Sequence, residues 1–234
     1  METQELTVKA KNGLPTLQEL FEGNIEAAGK AESLNAILNT PPPEKWLKKH
    51  PFIADYWYLP IDKHEYLLRK IFKRYRIKIT GQGTAFNGVW VTVRVKYMDP
   101  ITGNWNFQDG IGSAELQVAK GKSPADLANI NHGALSMAFP IAKTLAIKDA
   151  CELIGNIFGA NVNRRDTLPF QPDMNLINQS VSERQVKEDE RLKTFIEKAE
   201  TVEQLQALKP HIKNDEMQAR FDIKLSTFSK IIKP

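Results

Sequence analysis

The clearest pattern in the chain is an alternation. Val89, Val91, Val93, Val95 and Tyr97 take every second place, with Trp90, Thr92, Arg94 and Lys96 between them. Successive side chains of a strand point to opposite faces, so this run predicts a strand with one buried face and one wet face. Upstream, Tyr75, Ile77 and Ile79 alternate with Arg76, Lys78 and Thr80 in the same way. Downstream, Trp105 and Phe107 mark a third strand that ends in Gly110-Ile111-Gly112. The segment GQGTAFNG (81–88) reads as a glycine-rich turn. DPITGN (99–104) has hairpin chemistry, with Asp-Pro opening it and Gly-Asn closing it.

On either side of these strands the period becomes helical. Leu67, Leu68, Ile71 and Phe72 predict a helix over 63–74, with Asp62 as its N-cap. After the basic loop Lys120-Gly121-Lys122, Ser123 and Pro124 read as an N-cap and first helical position. The helical pattern runs to about 138, is interrupted at Pro140 and resumes to about 159, with Ala142, Ala146, Ala150, Leu153, Ile154, Ile157 and Phe158 on a broad apolar face. Gly155 and Gly159 within that stretch imply close packing on another backbone or helix termination at Gly159. The predicted class is α+β: an antiparallel β-meander with a long helix packed on one face (a β-β-β-α core), plus a small helical C-terminal tail.

Composition divides the chain into four parts. Residues 1–43 read as an acidic, flexible arm with one short helix (Leu17, Leu20 and Phe21 on one side), closed by Pro41-Pro42-Pro43. Residues 44–166 form the core, and 167–182 are a linker by composition. Residues 183–234 return to helical periodicity, with Thr201 and Gln204 as a capping box and Asn214 capping the last helix. A single cysteine, Cys151, excludes an intramolecular disulfide and any thiolate-rich metal cage. Neither a signal-peptide core nor an apolar run of bilayer length is present, so a cytoplasmic protein without a membrane partner is expected.

Charge changes the picture more than composition does. The net charge is +4 overall, but residues 1–40 carry −3, residues 41–182 carry +6 and residues 183–234 carry +1. From Lys63 to Lys78 there are seven basic residues against one acid, Glu65. The predicted helix turns Arg69, Lys70, Lys73 and Arg74 away from its apolar side. The strands place Arg76, Lys78, Arg94 and Lys96 together on the polar face of the sheet, with Trp90 nearby. Four cations in a cross-strand ladder repel one another unless an anion lies across them, and a phosphate backbone suits such a surface. Trp90 reads equally well as a stacking platform for bases or as interface packing. Arg164 and Arg165, after the long helix, extend this surface or simply solvate a loop.

Catalytic constellations are lacking. His50, His64, His132 and His211 are scattered without metal-ligand spacing, and Cys151 lies within an apolar helix pattern. Gly81-Gln82-Gly83 precedes a strand rather than a helix, so it lacks the helix N-terminus of a phosphate site. No Walker-type loop is present. The expectation is a non-enzyme with no cofactor and no metal.

Three segments carry a family resemblance over a little under half the chain. They are HEYLLRKIFKRYRIKIT, WVTVRVKYMDPITGNWNFQDGIG, and AIKDACELIGNIFGANVNR with its Gly155-Asn156-Ile157-Phe158-Gly159 ending. Together they resemble the core domain of ring-forming single-strand annealing recombinases, the Rad fifty-two type of eukaryotes and the Sak type of bacteriophages. The resemblance implies a homo-oligomer (ring or filament) that binds single-stranded DNA in a positive groove. It implies ATP-independent annealing of complementary strands in homologous recombination and repair, in a bacterial host cytoplasm if the chain is phage-encoded. It places Lys148 at a groove lysine. Asp149 and Glu152 stand where the family carries basic residues, which shifts the expected DNA contact toward Arg69–Lys78, Arg94 and Lys96. By analogy with recombination modules, the tail would dock a single-strand-binding protein or an exonuclease. The competing reading is an oligomeric structural or adaptor protein that binds no DNA. A nuclease would need an acidic metal cluster that residues 63–98 do not offer.

Overall fold

The computed structural model describes residues 16–51 and 53–231. The first part of the expected arm, residues 1–15, lies outside them. The helices are α1 (Leu17–Leu20), α2 (Ile25–Asn39), α3 (Ile61–Ile71), α4 (Ala134–Glu152), α5 (Met174–Lys198), α6 (Val202–Leu208) and α7 (Asp215–Ile231). The strands are β1 (Lys48–Lys49), β2 (Trp57–Tyr58), β3 (Tyr75–Ala85), β4 (Gly88–Met98) and β5 (Trp105–Glu115). The chain forms two compact units. One is Ser33–Pro172, and the other joins the described parts of Met1–Glu32 and Asp173–Pro234.

In the first unit β3, β4 and β5 form an antiparallel sheet with β4 at its centre. The valine alternation does what its period predicts. Val89, Val91, Val93 and Val95 are buried, each contributing about 1.5–3 kcal/mol through removal of apolar surface from water. They meet α4, whose Ala134, Ala138, Ala142, Ala146 and Ala150 recur every fourth residue and are all buried. Small side chains let the helix lie close to the sheet, and Gly110 and Gly112 of β5 complete the fit. A Cβ at Gly110 would run into the backbone of Ala146 and Ala150, and one at Gly112 into that of Ala142 and Ala146. The α+β class and the helix on one sheet face are as the sequence predicts.

Several local expectations are corrected. The segment 81–88 is not a turn: β3 continues to Ala85, and only Phe86 and Asn87 turn the chain. A bulge between Ile79 and Gly81 resets the register, so Gly81 faces Thr92 and Gly83 faces Trp90. Here the glycines serve packing, since a Cβ on Gly83 would stand 2.9 Å from the Trp90 ring. Helix α3 starts one residue before Asp62, behind Pro60, and ends at Ile71. Asp62 therefore lies in the first turn and pairs with Lys63 at 2.9 Å.

The helix expected from Ser123 does not form. Gly133, at φ +83°, is the N-cap of α4 and breaks any continuous path from Pro124. From Ala134 the helix runs through Pro140 without interruption. The proline is exposed and forfeits the hydrogen bond to the carbonyl four residues back, a cost of about 3 kcal/mol that burial of the alanine row offsets. Helix α4 stops at Glu152, so Gly155 and Gly159 lie beyond it. Gly155 abuts Leu38, where a Cβ would come within 2.6 Å of the Leu38 carbonyl oxygen, and Gly159 adopts φ +98°.

Residues 25–39, read from the sequence as part of a flexible arm, form α2, whose Ala28 and Glu32 are buried. In the second unit Leu192, Ile196, Leu205, Met217 and Phe221 form a core among α5, α6 and α7. The expected linker is shorter than its composition suggests. Asp173 caps α5 by accepting from the N–H groups of Asn175 (3.0 Å) and Leu176 (3.1 Å), so 174–182 are helical. Thr201 accepts from Gln204 N–H and Asn214 from Met217 N–H, both as predicted, but the Gln204 side chain returns to Glu200 N–H rather than closing a capping box at Thr201. No helix among the described residues is long and apolar enough to cross a membrane.

Candidate nucleic-acid interface

The sheet face turned away from α4 is built by register. Across the three strands it reads Arg76–Lys96–Phe107, then Lys78–Arg94–Asp109, then Gly81–Thr92–Ile111, then Gly83–Trp90–Ser113. Trp105 stands opposite Met98 at the hairpin end. Arg76, Lys78 and Lys96 are exposed and, among the described residues, have no ion-pair partner. Aromatic rings lie among them. The Arg76 guanidinium is 5.7 Å from the Trp105 ring centre, and that of Arg94 is 4.2 Å from Phe107. Both rings are about half exposed.

Arg94 departs from the predicted four-cation ladder. Its Nε and Nη2 donate to the two carboxylate oxygens of Asp109 at 2.7 Å each, a fork-on-fork pair. Asp109 is held below the usual carboxylate range by the Arg94 hydrogen bonds, and Arg94 is raised by Asp109. The ladder therefore carries three unpaired cations and one neutralised pair. Trp90 is partly buried, its ring lying over Gly81 and Gly83.

The α3 cluster is looser than predicted. Arg69 and Lys70 are exposed in the last turn of α3, but Lys73 and Arg74 fall beyond it, with Lys73 at φ +59°. Arg69 pairs with Glu65 at 3.5 Å and donates to the Tyr75 hydroxyl at 3.2 Å.

Lys148 and Arg164 lie elsewhere, in a groove of about 1230 Å³ between the β1–β2 hairpin, the edge of β5 and α4. None of the residues from Arg69 to Lys96 lines it. The Lys148 ammonium sits 4.4 Å from the Tyr58 ring centre, and burial lowers its pKa. Burial raises that of Glu152, one helical turn away. Asn163 fixes the wall opposite: its Oδ1 accepts from Trp57 N–H and its Nδ2 donates to Trp57 O, both at 2.8 Å. Arg165 is exposed and does not line the groove. The predicted cations thus divide between two surfaces.

Two contributors went unread in the sequence, and both left signals. Once the 99–104 turn fixes Met98 opposite Trp105, antiparallel pairing puts Asp109 opposite Arg94. Tyr56, Trp57 and Tyr58 stand as three adjacent aromatics in the sequence, with no periodicity to place them. Cys151 is fully buried, and burial pushes its thiol up to about 12. Among the described residues no three His, Cys, Asp or Glu side chains gather to hold a metal ion. No family model matches this chain, and no curated protein matches it significantly.

Proposed function

We propose that this protein binds single-stranded DNA across the open face of its sheet and promotes annealing of complementary strands as a homo-oligomer, without ATP and without covalent chemistry. The observation that carries the reading is the interleaving of Arg76, Lys78 and Lys96 with the exposed rings of Trp105 and Phe107 on one sheet face. Cations along such a face neutralise phosphates, and the rings stack on bases without reading their edges. Base edges then stay free to test a complement. Lys148, Arg164 and the Tyr56–Tyr58 wall offer a second polar and aromatic contact for the same ligand.

Self-association has its own support. Strands β3 and β5 are the outer strands of the sheet, and α4 leaves Met137, Ile141 and Leu145 exposed at four-residue spacing. Aligning many weak sites along a ring or filament multiplies their hold on one strand. This activity suits a cytoplasm, where recombination intermediates occur.

The test is binding of a labelled oligonucleotide at increasing salt, with wild type beside R76E/K78E. Wild-type affinity should fall steeply with salt, and the double reversal should lose about tenfold or more at fixed salt. Equal binding by both proteins overturns the reading. An adaptor that binds no DNA would give no shift at low salt with either protein, while still forming rings or filaments by negative-stain microscopy.

A further inference from the structure

The basic face contains an acid, on the outer strand β5 beside the central-strand Arg94, and this inference rests on that face being the DNA surface. We propose that Asp109 is a resident competitor for phosphate that takes Arg94 out of the DNA contact and sets how loosely the face holds a strand. The geometry favours competition over simple bracing. A guanidinium fork grips a carboxylate and a phosphate in the same bidentate way. In this fold the Nε and Nη2 edge of Arg94 is spent on Asp109 at 2.7 Å for each bond, while Arg76, Lys78 and Lys96 around the pair have no carboxylate partner among the described residues. The pair is not buried: the side chains of Arg94 and Asp109 are 36% and 51% exposed. An exposed pair contributes little to stability, so a phosphate can reach it, and to take the same bidentate edge it must displace the carboxylate.

The Arg94 guanidinium also lies over Phe107, so its plane is fixed from beneath while its edge is occupied. The β4–β5 side of the Lys78–Arg94–Asp109 rung is therefore net neutral, beside the charges of Lys78 and of the Arg76–Lys96 rung. A strand laid across the face is held at Arg76/Lys96 and at Lys78, and only weakly where it crosses the Arg94–Asp109 pair toward β5. Annealing requires a strand that is bound and then surrendered to its complement, which a moderated hold permits.

The experiment measures oligonucleotide affinity against salt for wild type, D109N, R94Q/D109N, R76Q and K78Q, with far-UV circular dichroism to check folding. D109N frees Arg94 without adding bulk. Its affinity should rise about three- to tenfold at moderate salt, and its log–log salt slope should steepen by about 0.7, one further phosphate contact on a single strand. R94Q/D109N removes the pair as a neutral couple and should bind within about twofold of wild type, whereas R76Q and K78Q each weaken binding severalfold. If D109N does not fold, the comparison of R94Q/D109N with R76Q still decides the matter, because a working phosphate contact at Arg94 would make the two losses equal. Unchanged or weaker binding by folded D109N, with R76Q and K78Q weakened, overturns the competitor and leaves the DNA face standing. Wild-type binding by all four variants overturns both.

Discussion

The Asp149 carboxylate of α4 accepts a hydrogen bond at 2.9 Å from the backbone N–H of Ile111, on the outer strand of the sheet. An edge strand presents unpaired N–H groups, and here a helix side chain reaches across to occupy one of them. That contact accounts for an acid at a position where the resemblance would place a basic residue. In this fold Asp149 joins α4 to β5.

The first prediction follows from that bond. D149A and D149R should each lower stability by about 1 kcal/mol, the scale of one hydrogen bond to a charged acceptor at a partly open site. Urea denaturation checks it. A D149R variant as stable as wild type would show that the bond contributes nothing.

The glycine pair beneath α4 gives a sharper test. Gly110→Ala and Gly112→Ala each drive a methyl group into helix backbone, which cannot yield as a flexible side chain can. Each should cost about 3 kcal/mol, at the upper end of overpacking penalties. Gly103→Ala, in open space at φ +75°, should cost only about 1 kcal/mol from backbone strain. Chemical denaturation of the three variants should reproduce that order.

His64 predicts an acid limit to stability. The ring is fully buried in the core, with Nδ1–H donating to the Pro60 carbonyl at 3.0 Å, and burial brings its pKa down to about 4 from 6.5. The unfolded chain therefore takes up the proton before the folded one does. Stability is present in full above pH 6.5 and is lost as pH falls from 6.5 through 4, by about 3 kcal/mol in all. In His64→Gln the acid limb of a stability–pH curve should flatten over that window.

Stacking and charge should separate on the open face. W105A/F107A removes two rings without altering charge, so oligonucleotide affinity should drop by about 1–3 kcal/mol per stacked base while the salt slope stays within error of wild type. A flattened slope in this variant would mean that the rings act only by positioning the phosphate contact at Arg76.

Local periodicity determined much of this molecule. The Val89–Val95 alternation, the alanine row of α4 and the Asp-Pro/Gly-Asn hairpin each need only neighbouring residues and a solvent boundary. The sheet, its buried face and the helix that covers it were therefore legible. Misreadings fell where one residue's meaning depended on a distant one. Gly81 and Gly83 read as turn residues until pairing with β4 laid Trp90 over them, and Pro140 read as a break until burial of the alanine row outweighed its lost hydrogen bond. Helix α2 has no strong amphipathic stripe, so its turns gain order only from what they pack against. The basic residues were visible as a count. Which of them stand unpaired was decided by the register that set Asp109 against Arg94 and by the chain path that carried Lys148 and Arg164 into a separate groove, because ion pairing acts through space and not along the sequence.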